Sequence, residues 1–141
     1  MNRFFDTTVL VAAVLEEHEH HERSFSALAT ATPSSAFCAA HSLAEAYAML
    51  TRYPGKQRLS PDQALLAIEV FEDRLAVVAL DAREYLAAMG RFATHGITGG
   101  TIYDGLIAAC ALKAKADVLY TWDVGHFMLL GDEIARKVRT P

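Results

Sequence analysis

Apolar and polar positions follow two rhythms along the chain, and the switches between them mark out the elements. Arg3-Phe4-Phe5 has the character of a short strand, and Asp6-Thr7-Thr8 turns it into a helix from Val9 to Leu15. The segment from Glu16 to Glu22 is polar and rich in histidine, and reads as a solvated loop and helix start. Phe25, Leu28 and Ala29 then recur at helical spacing, until Pro33 and two serines break the pattern ahead of a buried strand over Ser35 to Ala39. His41 to Tyr53 is helical and stops at Tyr53-Pro54-Gly55; its stripe of Leu43, Tyr47 and Leu50 suits a core or a dimer interface. Ser60-Pro61-Asp62-Gln63 is a helix start, with a serine cap, a proline in the first turn and a glutamine three residues after the cap. That helix extends to about Asp73.

The run Leu75-Ala76-Val77-Val78-Ala79-Leu80 is continuously apolar at strand length, which predicts a central parallel strand buried on both faces. A helix from Asp81 to His95 follows, closed by Gly96, and Gly99-Gly100-Thr101 leads into another from about Ile102 to Ala116. Within it, Leu106 to Leu112 is apolar on every side and must be buried. Asp117 to Thr121 is a fourth strand, and the tail from Glu133 to Arg139 offers an edge strand. Strands alternating with helices predict an α/β fold, a parallel central sheet flanked by helices on both faces. With no composition break or internal repeat, residues 1–141 read as one domain.

Composition narrows the class. Of 141 residues, 52% are hydrophobic and 21% charged, which excludes a disordered tail or low-complexity linker. No apolar run approaches the roughly 20 residues needed to cross a bilayer. Thr7 to Leu15 has the look of a signal-peptide core, but Asp6 precedes it and Glu16 and Glu17 follow, so it belongs to the fold. The two cysteines, Cys38 and Cys110, have no paired spacing, so neither a disulfide framework nor a Cys-based zinc site is expected, and a reducing cytoplasm fits. The formal charge of -4, from 13 basic and 17 acidic residues, is unlike that of a generic nucleic-acid binder.

The candidate chemistry lies in four acids. Ligands of open parallel sheets bind beyond the carboxyl ends of the strands. Asp6 and Asp123 fall just past two predicted strand ends, and Glu45 lies in the first turns of the helix after the second strand, beside Asp6. Asp104 begins the buried helix, where a carboxylate must be capped, paired or metal-bound, although that helix is entered from a loop. Singly, each acid has a plain structural reading. Ser42-Leu43-Ala44-Glu45 and Thr101-Ile102-Tyr103-Asp104 match capping boxes, and Asp6 and Asp123 suit N-caps. Four acids assignable to one sheet edge carry more weight together than any one of them.

The same residues carry a family resemblance. Phe5-Asp6-Thr7-Thr8-Val9-Leu10, Glu45 in its Ser42-Leu43-Ala44 setting, Tyr103-Asp104-Gly105-Leu106-Ile107-Ala108, and Leu119-Tyr120-Thr121-Trp122-Asp123 with His126-Phe127 resemble the motifs of the PIN-domain ribonucleases, in order and over essentially the whole chain. The nearest resemblance is to the VapC toxins of bacterial and archaeal toxin–antitoxin pairs. It implies a metal-dependent endoribonuclease that leaves a 5′-phosphate and a 3′-hydroxyl. It also implies that Asp6, Glu45, Asp104 and Asp123 hold Mg²⁺ or Mn²⁺, with Thr8 and Thr121 in support. Structured RNA of the translation machinery, such as tRNA or rRNA, is the implied substrate, and a cognate antitoxin and a second copy of the chain are the implied partners. Hard oxygen donors suit Mg²⁺, and a bound ion lowers the pKa of its water, orients in-line attack and stabilises the leaving oxygen.

Setting the quartet aside leaves thirteen acids against thirteen bases, so RNA binding would rest on local basic clusters and the bound cation. Arg52, Lys56 and Arg58, around the Tyr53-Pro54-Gly55 turn, form the best such cluster. Phosphate contacts of that kind supply position and not sequence. For His126, an approach to RNA competes with a structural place beside Phe127. Thr8 stands where the family often has Asn or Ser. Gly125 stands where many members carry Lys or Arg, so one phosphate contact is expected to be missing. His18 and His21, at i, i+3, offer a transition-metal reading that competes with a solvated loop.

Two alternatives come from other classes. A haloacid-dehalogenase-like phosphatase needs a second Asp two residues after the first, where Thr8 stands, and a receiver needs a Lys after a later strand, which neither Leu80 nor Thr121 has close behind it. A catalytically silent PIN-like binding scaffold would have no need to retain all four acids.

Overall fold

Phe4 and Phe5 are neighbours in sequence, both fully buried, and they enter two different cores. Successive strand residues face opposite sides of a sheet, so this pair marks a strand covered on both faces. In the computed structural model, which describes residues 1–141, the elements run β1 (Arg3–Phe5), α1 (Thr7–Val14), α2 (His21–Ala29), β2 (Ala36–Ala39), α3 (Ala40–Thr51), α4 (Pro61–Arg74), β3 (Ala76–Val78), α5 (Ala82–Thr94), α6 (Thr101–Lys113), β4 (Val118–Tyr120), α7 (Val124–Met128), α8 (Asp132–Ala135) and β5 (Val138–Arg139). The strands form one five-stranded sheet in the order β3-β2-β1-β4-β5, with every pairing parallel. Phe5 packs with Leu10 of α1, Leu50 of α3 and Phe71 of α4, while Phe4 packs with Phe92 of α5, Ile107 of α6 and Phe127 of α7. The chain is a single α/β domain with helices on both faces. No helix is long and apolar enough to cross a membrane.

The run Leu75 to Leu80 is not a central strand. Only Ala76–Val78 is extended in the sheet; it pairs with β2 alone at the edge, and Val77 is 39% exposed. The apolar run has another cause: Leu75, just before the strand, fills one core, and Leu80, just after it, packs against the other. The tail does add an edge strand, but of two residues only, after the short helix α8.

Helix starts sort into two groups. Ser60 with Gln63, and Asp81 with Glu84, form complete capping boxes. The other two suspected boxes do not form. Helix α3 begins at Ala40, which leaves Ser42 inside it, and α6 is preceded by Gly100 with Thr101 already helical and no side-chain cap bond. Glu45 and Asp104 therefore have no capping task.

Strand order reverses between β1 and β4, the switch point at which open α/β sheets place their ligands. Helix α6 spans this region, held close to α5 by Gly105, where an added Cβ would lie 2.7 Å from the ring of fully buried Phe92. Overpacking of this kind costs about 1–3 kcal/mol, and valine recovers little of it through helix propensity. Gly105→Val should lower the melting temperature by several degrees in a thermal scan; a variant melting with the wild type would contradict the close approach.

Candidate active site

Asp6 follows β1 directly, and its amide continues the ladder to Tyr120 O at 3.0 Å. It caps α1 and is only 2% exposed. Its Oδ2 accepts from Thr121 Oγ1 at 2.7 Å, from Thr8 Oγ1 at 2.8 Å and, more weakly, from the Thr8 amide at 3.4 Å. Each hydroxyl is fixed from behind, because the Asp123 amide donates to Thr121 Oγ1 and the Trp122 amide to Thr8 Oγ1, both at 2.9 Å. Burial outweighs these bonds and pushes the Asp6 carboxyl up to about 6, with the negative charge of Asp104 adding to the rise.

Glu45, on α3, is hydrogen-bonded at one oxygen and approached by an imidazole at the other. Thr7 Oγ1 lies 2.7 Å from Oε1 and 2.9 Å from Ser42 Oγ, and His41 Nε2 lies 3.5 Å from Oε2. That imidazole nitrogen is buried and makes no hydrogen bond; its ring stacks on Tyr103 with centroids 5.4 Å apart. Neither Thr7 nor His41 was singled out in the sequence. The available signal for Thr7 was its place at the start of a wholly apolar helix, where a buried hydroxyl must find a partner.

Asp104, in the first turn of α6, and Asp123, just before α7, meet at His126. Its Nδ1 is 2.8 Å from Asp123 Oδ2 and 3.2 Å from Asp104 Oδ2. One donor atom from each of these three residues lies within 4.8 Å of the others, close enough to serve a single cation. The half-exposed His126 ring bridges the two carboxylates. Burial raises the Asp104 carboxyl, the charges of Asp123 and Glu45 raise it further, and His126 opposes them. Asp6 and Glu45 stand outside the tight trio but within electrostatic reach of Asp104. Carboxylate oxygens whose pKa values are raised by burial, and further by one another, are the kind of donor set that a hard divalent cation satisfies.

Arg52, Lys56 and Arg58 flank Tyr53, which shares a cavity with Asp123. Arg52 ends α3, Arg58 donates from Nε to Tyr53 O at 3.0 Å, and neither these two nor Lys56 pairs with a carboxylate. An added side chain at Gly125 would meet nothing within 4 Å, so that surface is open. His18 and His21 do not converge as a chelate. His18 Nδ1 accepts from the His20 amide at 3.0 Å, and His21 Nδ1 lies 2.9 Å from Ala12 O. The loop is also less solvated than its polarity predicts, because His20 stacks flat on Trp122.

The PIN domain family matches residues 3–127. Ribonuclease VapC40 of Mycobacterium tuberculosis is 34% identical over 117 residues, covering 81% of this chain and 81% of that protein. Ribonuclease VapC27 of the same species is 32% identical over 114 residues, 80% of this chain and 79% of that one. Among solved structures, the Mycobacterium tuberculosis Sarcin-Ricin loop cleaving toxin VapC20 superposes with a TM-score of 0.70 at 20% identity, over 86% of this chain and 90% of that chain. VapBC2 from Rickettsia felis, bound to a DNA fragment from their promoter, gives 0.67 at 18% identity, over 99% and 98%. The structural matches agree on the fold, and the sequence matches span four-fifths of each partner. The chain belongs to the PIN domain family, within its VapC-type ribonuclease toxins.

Proposed function

We propose that this protein is a Mg²⁺- or Mn²⁺-dependent endoribonuclease in which Asp6, Glu45, Asp104 and Asp123 hold the ion and structured RNA, such as tRNA or rRNA, is the substrate. The observation that carries this reading is the convergence of Asp104 and Asp123 on His126, at the strand-order reversal and beside the buried carboxyl of Asp6. A bound ion would supply Lewis acidity and a water of lowered pKa for attack on phosphorus.

The chain's own residues supply the positioning. Thr8 and Thr121 lock the rotamer of Asp6 through Oδ2, and Thr7 holds Glu45 through Oε1. Arg52, Lys56 and Arg58 would anchor RNA phosphates beside the acids, and His126 would turn from the carboxylates toward the substrate backbone. The test is incubation of end-labelled tRNA and rRNA fragments with Mg²⁺, with Mn²⁺ and with EDTA. Cleavage is expected with either metal and none in EDTA; equal cleavage in EDTA would overturn the reading.

Thr7 offers a finer check. Groups that orient metal ligands typically contribute 10–100-fold, roughly, to metal affinity or activity. Thr7→Val keeps the shape and removes the bond to Glu45. It should therefore raise the Mg²⁺ concentration for half-maximal cleavage by about 10–100-fold with an unchanged circular dichroism spectrum. An unchanged metal requirement would separate Glu45 from the site.

The partners proposed are a cognate antitoxin and a second copy of the chain. Support comes from exposed Leu65, Leu66 and Val70 on α4 and Leu86 and Met89 on α5, more apolar surface than a lone domain needs. Sedimentation at micromolar concentration should show a dimer, and a co-encoded neighbour should bind and inhibit. The cytoplasm is the proposed compartment, in keeping with two buried, unpaired cysteines.

A further inference from the structure

A cavity of about 300 Å³ opens beside the acids, walled by His18, His20, Tyr53 and Trp122. Thr8 and Asp123 also line it, so it is continuous with the site that holds Asp6. Trp122 is fixed at both ends: its amide donates to Thr8 Oγ1 at 2.9 Å, and its Nε1 donates to Ser24 Oγ at 2.8 Å. His20 lies flat on the indole, with centroids 3.7 Å apart and planes 6° from parallel. The wall is thus a preformed aromatic stack. His18 adds a polar edge: its Nδ1 accepts from the His20 amide, which leaves Nε2 as the protonated nitrogen, a donor with no partner in the protein.

The charge of the cavity selects among the parts of a nucleotide. No lysine or arginine lines it, and its carboxylates are those of Glu19 and Asp123. A phosphate would be repelled there, while an uncharged planar ring would find a flat stack and polar edges. Single-stranded RNA is recognised in this way, by bases stacked on aromatic side chains while basic groups follow the backbone. Arg52 lines an adjoining groove that shares Met49 and Tyr53 with this cavity.

Building on the nuclease reading above, we propose that this cavity is a base-binding subsite that takes one unpaired nucleobase next to the cleaved phosphate, stacked on the His20–Trp122 pair. The His-rich loop is then a specificity element of the reaction, with His20 a positioning residue for the substrate.

Trp122 is the only tryptophan, so it reports directly on this cavity. The probe is a single-stranded six-nucleotide RNA, titrated in EDTA against wild-type protein, together with a set of the same strand carrying one abasic ribose at each position in turn. The intact strand should quench Trp122 saturably, and one abasic position should weaken binding by roughly ten-fold and remove the quench. His20→Ala should weaken binding of a 5′-labelled strand by a similar factor in anisotropy, and His20→Phe, which keeps a flat ring, should restore it. Cleavage by the wild type in Mg²⁺ or Mn²⁺ is measured in parallel. Cleavage without quenching, or with no abasic position that matters, overturns the subsite and leaves the nuclease. Position-dependent quenching without cleavage keeps the subsite and removes the nuclease. Absence of both overturns the two together.

Discussion

Asp104→Asn should reduce RNA cleavage by more than about 100-fold, since loss of an outer partner of a metal ligand already costs about 10–100-fold. The substitution keeps the shape of a half-buried side chain and removes one charge from the group formed with Asp123 and His126. The fold should survive, because Asp104 makes no capping bond to α6. Rates of RNA cleavage at saturating Mg²⁺, paired with circular dichroism, decide the matter. An intact spectrum with cleavage at the wild-type rate would remove Asp104 from the reaction.

The metal-free protein should gain stability from Asp6 as the pH falls from neutral. The folded-state carboxyl titrates at about 6 against an ordinary value of 3.8. Above pH 6 it is ionised in both states, and the folded form bears the whole penalty of burying the charge, about 3 kcal/mol. Between pH 6 and 4 the folded form takes up a proton that the unfolded form does not, so stability rises as pH falls. Below 4 both forms are protonated and the gain stops. Asp104, raised as well, acts in the same direction. Asp6→Asn removes the charge while its amide oxygen still accepts from Thr8 and Thr121. In EDTA at pH 7 it should melt above the wild type, and the difference should close as the pH approaches 4. Mg²⁺ or Mn²⁺ at 100 times its dissociation constant should stabilise the wild type by about 2.7 kcal/mol and the variant far less. A wild type indifferent to both metals, beside a destabilised Asp6→Asn, would leave Asp6 as a helix cap and nothing more.

Much of this architecture was legible because the chain states it locally. Ser60 with Gln63 is a complete helix start on paper and in space, and the alternation of strand and helix signals is enough to specify a parallel sheet. Strand position was not legible. Leu75 to Leu80 has the composition of a central strand, yet the centre belongs to the three-residue strands β1 and β4, because apolar content records contact with cores and not place in the sheet. The capping patterns at Ser42 and Thr101 misled for a related reason: helix α3 starts three residues early, with Ala39 and not Ser42 at its cap, and α6 takes Gly100 as its entry. The four acids stood out by their place at strand and helix ends. Thr7, His41 and the bridging part of His126 depend on side chains meeting across 38, 4 and 22 positions, and only the 4-residue interval has a periodicity to read.

The bond from Thr121 to Asp6 joins residues 115 positions apart. Synthesis at about 5–20 residues per second puts roughly 6–23 s between the appearance of one partner and the other. Until β4 is made, β1 lacks a neighbour on one side, and Asp123, three residues beyond β4, does not yet exist. On the proposed reading, translation itself therefore acts as a delay timer: Asp6 waits for 115 further positions of synthesis before Thr121, which fixes its carboxylate, exists.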